Sequence, residues 1–248
     1  MQFQVGFATD IGLRRAQNQD SGASCPDLGL FIVADGMGGH RGGEIASAMA
    51  VEIIPEMVRD AQSRTDDWSP RQVLNDAIQK ANHSIYDRSL KEPELQGMGT
   101  TATALLFREN ERKLTIGHVG DSRAYYFRRG AVWQLTRDHS LVQEKLRAGL
   151  ITRDQAKSDQ MRNVITRSVG FGHETMVEIY EMEYEKGDIF LLCSDGLSGQ
   201  VEDQEILQVI EKKMLDTTDP KNAVADLISW ANARGGHDNT TVIIVKVL

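Results

Sequence analysis

Four aspartates stand where strongly apolar runs end. Asp35 follows Leu30-Phe31-Ile32-Val33-Ala34, Asp195 follows residues 189–194, Asp121 closes 114–120, and Asp238 precedes 240–245. Three of them touch glycine, in Asp35-Gly36, Gly120-Asp121 and Asp195-Gly196, where a bare backbone can bend sharply or approach a ligand. One aspartate at the end of a strand is ordinary turn chemistry. Four at the mouths of strands that share a rim would face one another, and like charges so close cannot all stay ionised without a counter-charge. Several oxygen donors with few histidines suit Mg²⁺ or Mn²⁺ better than zinc. Two such ions sharing a carboxylate could hold a bridging water and lower its pKa enough to supply hydroxide at neutral pH.

Around these lie weaker signals. Arg15 and Asp20 belong to the polar stretch 9–20. A guanidinium binds phosphate through two parallel hydrogen bonds, as phosphoryl hydrolysis beside a metal pair would require, although a salt bridge from Arg15 to Asp10 or Asp20 is an equal reading. The loop from Asp35 to Gly43 carries five glycines after Asp35, but Glu44 stands where a phosphate-binding loop needs lysine, and the dinucleotide spacing is absent. Gly36 could instead offer its carbonyl to a metal. Cys193 lacks an arginine six residues on, the position being Gly199, so thiol phosphatase chemistry is unsupported. Ser194 lacks the Gly-x-Ser-x-Gly elbow of a serine hydrolase. His118, inside an apolar run, reads as a core residue, while His139 and His237 beside aspartates are ambiguous.

The elements that must position these groups follow from periodicity and turn residues. Strands are expected at 3–9, 28–34, 101–107, 114–119, 123–128, 132–135, 177–184, 188–193 and 240–247. Helices are expected at 44–60, with Pro55 kinking or dividing it, at 70–90 behind the Ser69-Pro70 cap, at 203–214, and at 221–233 behind Asp219-Pro220. Segment 140–170 is polar and weakly helical, a mobile excursion. Helices in pairs and strands in clusters predict an α+β fold: two stacked, mainly antiparallel sheets with a helix pair on each outer side.

The chain has 248 residues and a formal charge of −8 from 28 basic and 36 acidic side chains. With no basic run, a nucleic-acid partner is not expected. No apolar stretch approaches the roughly 20 residues of a membrane span. The N-terminus lacks a secretory pattern, and two cysteines suit a reducing compartment, so a cytoplasmic protein is expected.

The segments 9–20, 35–43, Gly99-Thr100-Thr101, Val119-Gly120-Asp121-Ser122-Arg123, Leu135-Thr136-Arg137-Asp138-His139-Ser140, 163–170, Ser194-Asp195-Gly196-Leu197 and Asp238-Asn239-Thr240-Thr241, taken in this order, resemble the metal-dependent protein serine/threonine phosphatases of type 2C in their compact bacterial form. The resemblance implies a single catalytic domain over residues 1–248, a four-layer αββα sandwich with a flap at about 141–170. It implies two tight Mn²⁺ or Mg²⁺ sites and a third, weaker one. Asp35 would bridge the first two ions, with the Gly36 carbonyl on one of them. Asp195 and Asp238 would hold the second, and Asp20 would reach it through water. Asp121 with Asp195 would form the third. Arg15 would bind the substrate phosphate. The implied activity is hydrolysis of phosphoserine and phosphothreonine in proteins by a metal-bridging hydroxide, on a monomer opposing a cognate serine/threonine kinase. Two departures stand out. Gln19 replaces a glutamate common in the family, and Met37 occupies the place where animal members carry histidine, leaving His40 either as proton donor or as a residue that orders its loop. A non-catalytic phosphoprotein binder is a rival class, disfavoured because a scaffold has no reason to retain so much mutual repulsion among Asp20, Asp35, Asp195 and Asp238.

Overall fold

The computed structural model describes residues 2–38, 42–64, 67–216 and 219–248. Its first sheet contains β1 (Phe3–Asp10), β7 (Arg123–Arg128), β8 (Ala131–Gln134), β10 (Ile189–Cys193) and β11 (Thr240–Val247) in the order β1-β11-β10-β7-β8. The second has the order β2-β3-β5-β6-β9, from β2 (Asp20–Cys25), β3 (Leu30–Met37), β5 (Ala102–Arg108), β6 (Lys113–Val119) and β9 (Glu178–Glu183), with the short β4 (Gly99–Thr100) on the end of β3. Every pairing is antiparallel.

The apolar runs are continuous because both faces of the central strands are buried. On β3, Leu30, Ile32 and Ala34 pack under α1 (Gly42–Arg64) and α2 (Pro70–Lys91), while Phe31 and Val33 point between the sheets. On β11, Val242 and Ile244 face α6 (Asp203–Asp216) and α7 (Pro220–Ala233), while Ile243, Val245 and Val247 meet the other sheet. Three cores therefore separate four layers, in the expected αββα order.

The helix caps form as their sequences predict. Ser69 accepts from the Gln72 N–H with Pro70 in the first turn, and Asp219 accepts from the Lys221 N–H ahead of Pro220. Several elements differ from expectation. Pro55 does not divide α1, which runs 23 residues; packing of Ile54, Pro55 and Val58 into the core offsets one lost backbone bond. Strand β2 is an additional element, its sequence Asp-Ser-Gly-Ala-Ser-Cys carrying almost no β signal and held by pairing with β3. Asp35, Gly36 and Met37 extend β3 beyond the apolar run, since β2 and β4 pair with them. Segment 140–170 contains α3 (Leu141–Arg147) and α4 (Arg153–Ser158), each capped by a hydroxyl side chain, Ser140 and Thr152.

Candidate active site

The ends of β3, β6 and β10 and the beginnings of β2 and β11 lie on one rim. Pairing places Asp20 opposite Asp35. Asp121 follows β6, Asp195 opens the four-residue α5 (Asp195–Ser198), and Asp238 leads into β11. Two glycines are steric requirements of this convergence. A Cβ on Gly36 would lie 2.0 Å from the Gly43 carbonyl oxygen at the start of α1, and one on Gly196 would lie 1.9 Å from that of Asn239, so each Asp-Gly pair lets another backbone pass directly behind the carboxylate.

The backbone around Asp35 is clamped by the Gly99-Thr100-Thr101 motif. Thr101 Oγ1 accepts from the Asp35 N–H at 2.8 Å, while Thr100 Oγ1 and the Thr101 N–H donate to the Asp35 carbonyl at 3.0 and 2.8 Å. Asn239, buried, accepts from the Gln19 N–H at 2.8 Å and donates to the carbonyls of Ile11 and Gln17 at 2.9 and 3.0 Å. It thereby seats the N-terminal polar stretch on the rim. Ser194 donates to Asp20 Oδ2 at 2.7 Å and accepts from the Thr241 N–H at 2.9 Å. The Gln19 side chain lies against Gly43. Sequence reading of single residues gave no role to Ser194, Asn239 or Thr101; the available signal for Ser194 and Asn239 was a hydrogen-bonding side chain next to an aspartate at the end of an apolar strand, whereas Thr101 meets Asp35 only across strands.

The carboxylates sense one another. Burial, followed by the charges of Asp20, Asp195, Asp121 and Asp238, holds Asp35 well above the ordinary carboxylate range. Burial pushes Asp20 up to about 7 against the hydrogen bond from Ser194, and burial with Asp195 and Asp138 pushes Asp121 up to about 8. Asp195 is raised by burial and by Asp238. Arg15, half exposed, gives Nη2 to Asp238 Oδ2 at 2.5 Å; its ion pair is thus with Asp238 and not with Asp10 or Asp20. That hydrogen bond, against a smaller effect of burial, raises the guanidinium pKa further.

Among the described residues no three His, Cys, Asp or Glu side chains are closed around one point as a finished metal site. The donor set nevertheless fits a hard cation. Asp20 Oδ1 and Asp195 Oδ1 are buried without a hydrogen-bond partner, a costly arrangement for polar oxygens that a divalent cation would relieve. His40 lies outside the described residues.

His118 is buried, with Nε2 donating to the Arg137 carbonyl and Nδ1 3.0 Å from Thr103 Oγ1; burial and His139 lower it to about 4. It is a core histidine, as its apolar setting suggested. Arg123 makes a forked ion pair with Asp138, at 2.7 Å at its shortest. A cleft of about 1070 Å³ runs from Asp121, Asp195 and Asp238 to α3 and α4 and includes Arg147, Arg153 and His237. A separate cavity of about 500 Å³ lies at the opposite end of the first sheet, by Arg129 and Lys246, and holds none of the rim carboxylates.

Stacked antiparallel sheets between helix pairs, opening onto an acidic rim suited to hard cations, place this chain with the metal-dependent phosphatases. The family model described as protein phosphatase 2C matches residues 14–232, and the chain belongs to that family. It is 36% identical over 243 residues to the serine/threonine phosphatase stp of Listeria monocytogenes, spanning 97% of this chain and 94% of that protein. The crystal structure of the Mycobacterium tuberculosis serine/threonine phosphatase PstP/Ppp superposes with a TM-score of 0.89 at 36% identity, over 99% of this chain and 98% of that one. The catalytic domain of a serine/threonine protein phosphatase PstP in complex with two manganese ions superposes at 0.86 with 34% identity, over the whole of both chains.

Proposed function

We infer that this chain is a protein serine/threonine phosphatase dependent on Mn²⁺ or Mg²⁺, which hydrolyses phosphoserine and phosphothreonine in proteins. The observation that carries the reading is the convergence of five carboxylates on one rim, two of them with buried oxygens that lack partners. Its relatives carry the same activity in their names.

Asp35, the Gly36 carbonyl, Asp195 and Asp238 would hold the two tight ions, with Asp20 behind them, and Asp121 with Asp195 a weaker third. When bound, such ions lower the pKa of water and neutralise charge on the transferring phosphoryl group. The protein's part is to gather the acceptor oxygens at one rim and to present a donor for the phosphate. Asp238 is the one hydrogen-bond partner of Arg15 among the described residues, so its remaining N–H donors are open to the equatorial oxygens of a substrate, where they stabilise the in-line transition state. Asp238 in turn limits the directions the guanidinium can take. Residues 141–170 act as the flap that meets the substrate protein beside the phosphate.

The whole of 1–248 acts as one catalytic domain, monomeric and cytoplasmic, opposing a serine/threonine kinase, and without a nucleic-acid partner. No helix among the described residues is long and apolar enough to cross a membrane. The test is phosphate release from a phosphothreonine peptide with Mn²⁺, after EDTA, and with Mn²⁺ restored. Turnover is expected in the first and third conditions only; undiminished turnover after rigorous chelation refutes the reading.

A further inference from the structure

Gly120 turns the chain from β6 to Asp121, and a single histidine grips it from both sides. The backbone N–H of His139 donates to the Gly120 carbonyl at 2.8 Å, and the Gly120 N–H donates to His139 Nδ1 at 3.0 Å. The turn has little other freedom. Gly120 has φ +109°, and a Cβ there would lie 2.5 Å from Thr101 Cγ2. Because a peptide N–H can only donate, Nδ1 must present its lone pair, so the neutral ring carries its proton on Nε2. Nε2 lies 3.2 Å from Glu178 Oε1 on β9, a carboxylate that also receives Arg167 Nη1 at 3.3 Å and the Tyr180 hydroxyl. Glu178 thus sets the tautomer that makes His139 an acceptor for Gly120. The His139 carbonyl takes the Thr166 N–H at 2.7 Å, and two residues on the Leu141 N–H donates to the Val164 carbonyl at 2.9 Å. His139 is buried and packs against His118, the rings tilted by 36° with centroids 4.7 Å apart.

We propose that His139 is a positioning residue for Asp121: oriented by Glu178, it fixes the Gly120 turn that aims the Asp121 carboxylate, and it joins that turn to the returning end of the 141–170 segment. The proposal rests on reading Asp121 as a ligand of the third, weaker ion. A group that orients a ligand through one hydrogen bond alters metal affinity by about 10- to 100-fold when removed.

Two substitutions separate the arms of the ring. In His139→Asn the amide oxygen occupies the place of Nδ1 and can still accept from Gly120, but residue 139 no longer reaches Glu178. In His139→Gln the amide reaches Glu178, and no acceptor is left for Gly120. Mn²⁺ binding is measured by calorimetry on both variants and on Asp121→Ala, with melting temperatures as a check on folding. His139→Gln is expected to lose at least about 10-fold in the weak, Asp121-dependent binding while the tight ions are unchanged. His139→Asn is expected to keep the weak binding within about threefold of the unaltered protein, well inside that 10- to 100-fold scale. Equal losses in both variants, or weak binding undisturbed by His139→Gln, would reduce His139 to a packing residue and overturn the proposal. Weak binding that survives Asp121→Ala instead overturns the assignment of Asp121, and with it this proposal, while leaving the tight pair and the phosphatase reading intact. The hydrogen bond is also readable in the unaltered protein, as a scalar coupling between the Gly120 amide nitrogen and His139 Nδ1. Its absence overturns the proposal even if a variant fails to fold.

Discussion

Asp35 illustrates the opposition between stability and chemistry at this rim. Burial first, and then four neighbouring carboxylates, raise its proton affinity, so in the absence of metal its charge opposes folding. Asp35→Asn is expected to raise the melting temperature of the metal-free protein and to lower phosphopeptide turnover by at least about 10²-fold, the scale of losing one pre-organised electrostatic group. A melt and a rate assay on the same preparation check both halves; near-normal turnover would show the metal site misassigned. His118 titrates with the opposite sign to the rim. Its pKa is depressed to about 4, so the neutral ring contributes stability that is fully present above its ordinary 6.5 and lost as pH falls toward 4. That contribution is about 3 kcal/mol. His118→Gln should therefore be less stable than the unaltered protein at pH 7, with the gap closing by pH 4 in denaturant unfolding. A gap independent of pH would mean that packing alone is lost.

At the scale of elements, the strands mount the rim carboxylates and the 141–170 segment lines the cleft beside them. Helices α3 and α4 are one to two turns each, too short to persist alone. They are tied at their base by the pairing of Ser140 with Ile165 and of Thr100 with Val169. They place Arg147 and Arg153 in the cleft that reaches the rim. Replacing both arginines by alanine is expected to change the ranking of acidic against basic phosphopeptides by roughly three- to tenfold, as exposed charge contacts do, with the rate on a small aryl phosphate nearly unchanged. Comparison of kcat/KM across such a panel decides it; equal losses on all substrates would indicate a structural role for the segment.

For the molecule as a whole, the proposed metal site would couple metal binding to folding through the rim carboxylates. Asp20 and Asp121 have folded-state values raised to about 7 and about 8, so the stability linked to their protonated forms is present below their ordinary value near 4 and is lost as pH rises through 7 and 8. The metal-free protein should melt progressively lower between pH 5 and pH 8. On the proposed site Mn²⁺ would bind only the folded, ionised rim, so saturating Mn²⁺ should raise the melting temperature more at pH 8 than at pH 5. A metal-induced shift that is the same at both values would show that the carboxylates do not bear the ion.

Much of this was legible in the chain itself. Runs buried on both faces, such as Leu30 to Ala34 and Thr240 to Val247, announce central strands whatever their partners, and the Ser69-Pro70 and Asp219-Pro220 caps start helices by local chemistry alone. Aspartates ending such strands, three beside glycine, already indicated an acidic rim. Tertiary structure alone decided the rest. Strand β2 exists because β3 offers it hydrogen bonds, and Pro55 remains helical because the core covers it. Arg15 chose Asp238 over Asp10 and Asp20 because Asn239 seats the N-terminal stretch beside the start of β11. His139 became a grip on Gly120 through an approach of segments 19 residues apart. Periodicity and capping act within a few residues and can be read along the chain, whereas ion-pair choice, tautomer and the burial of an unpartnered oxygen depend on distances that exist only after the two sheets have stacked.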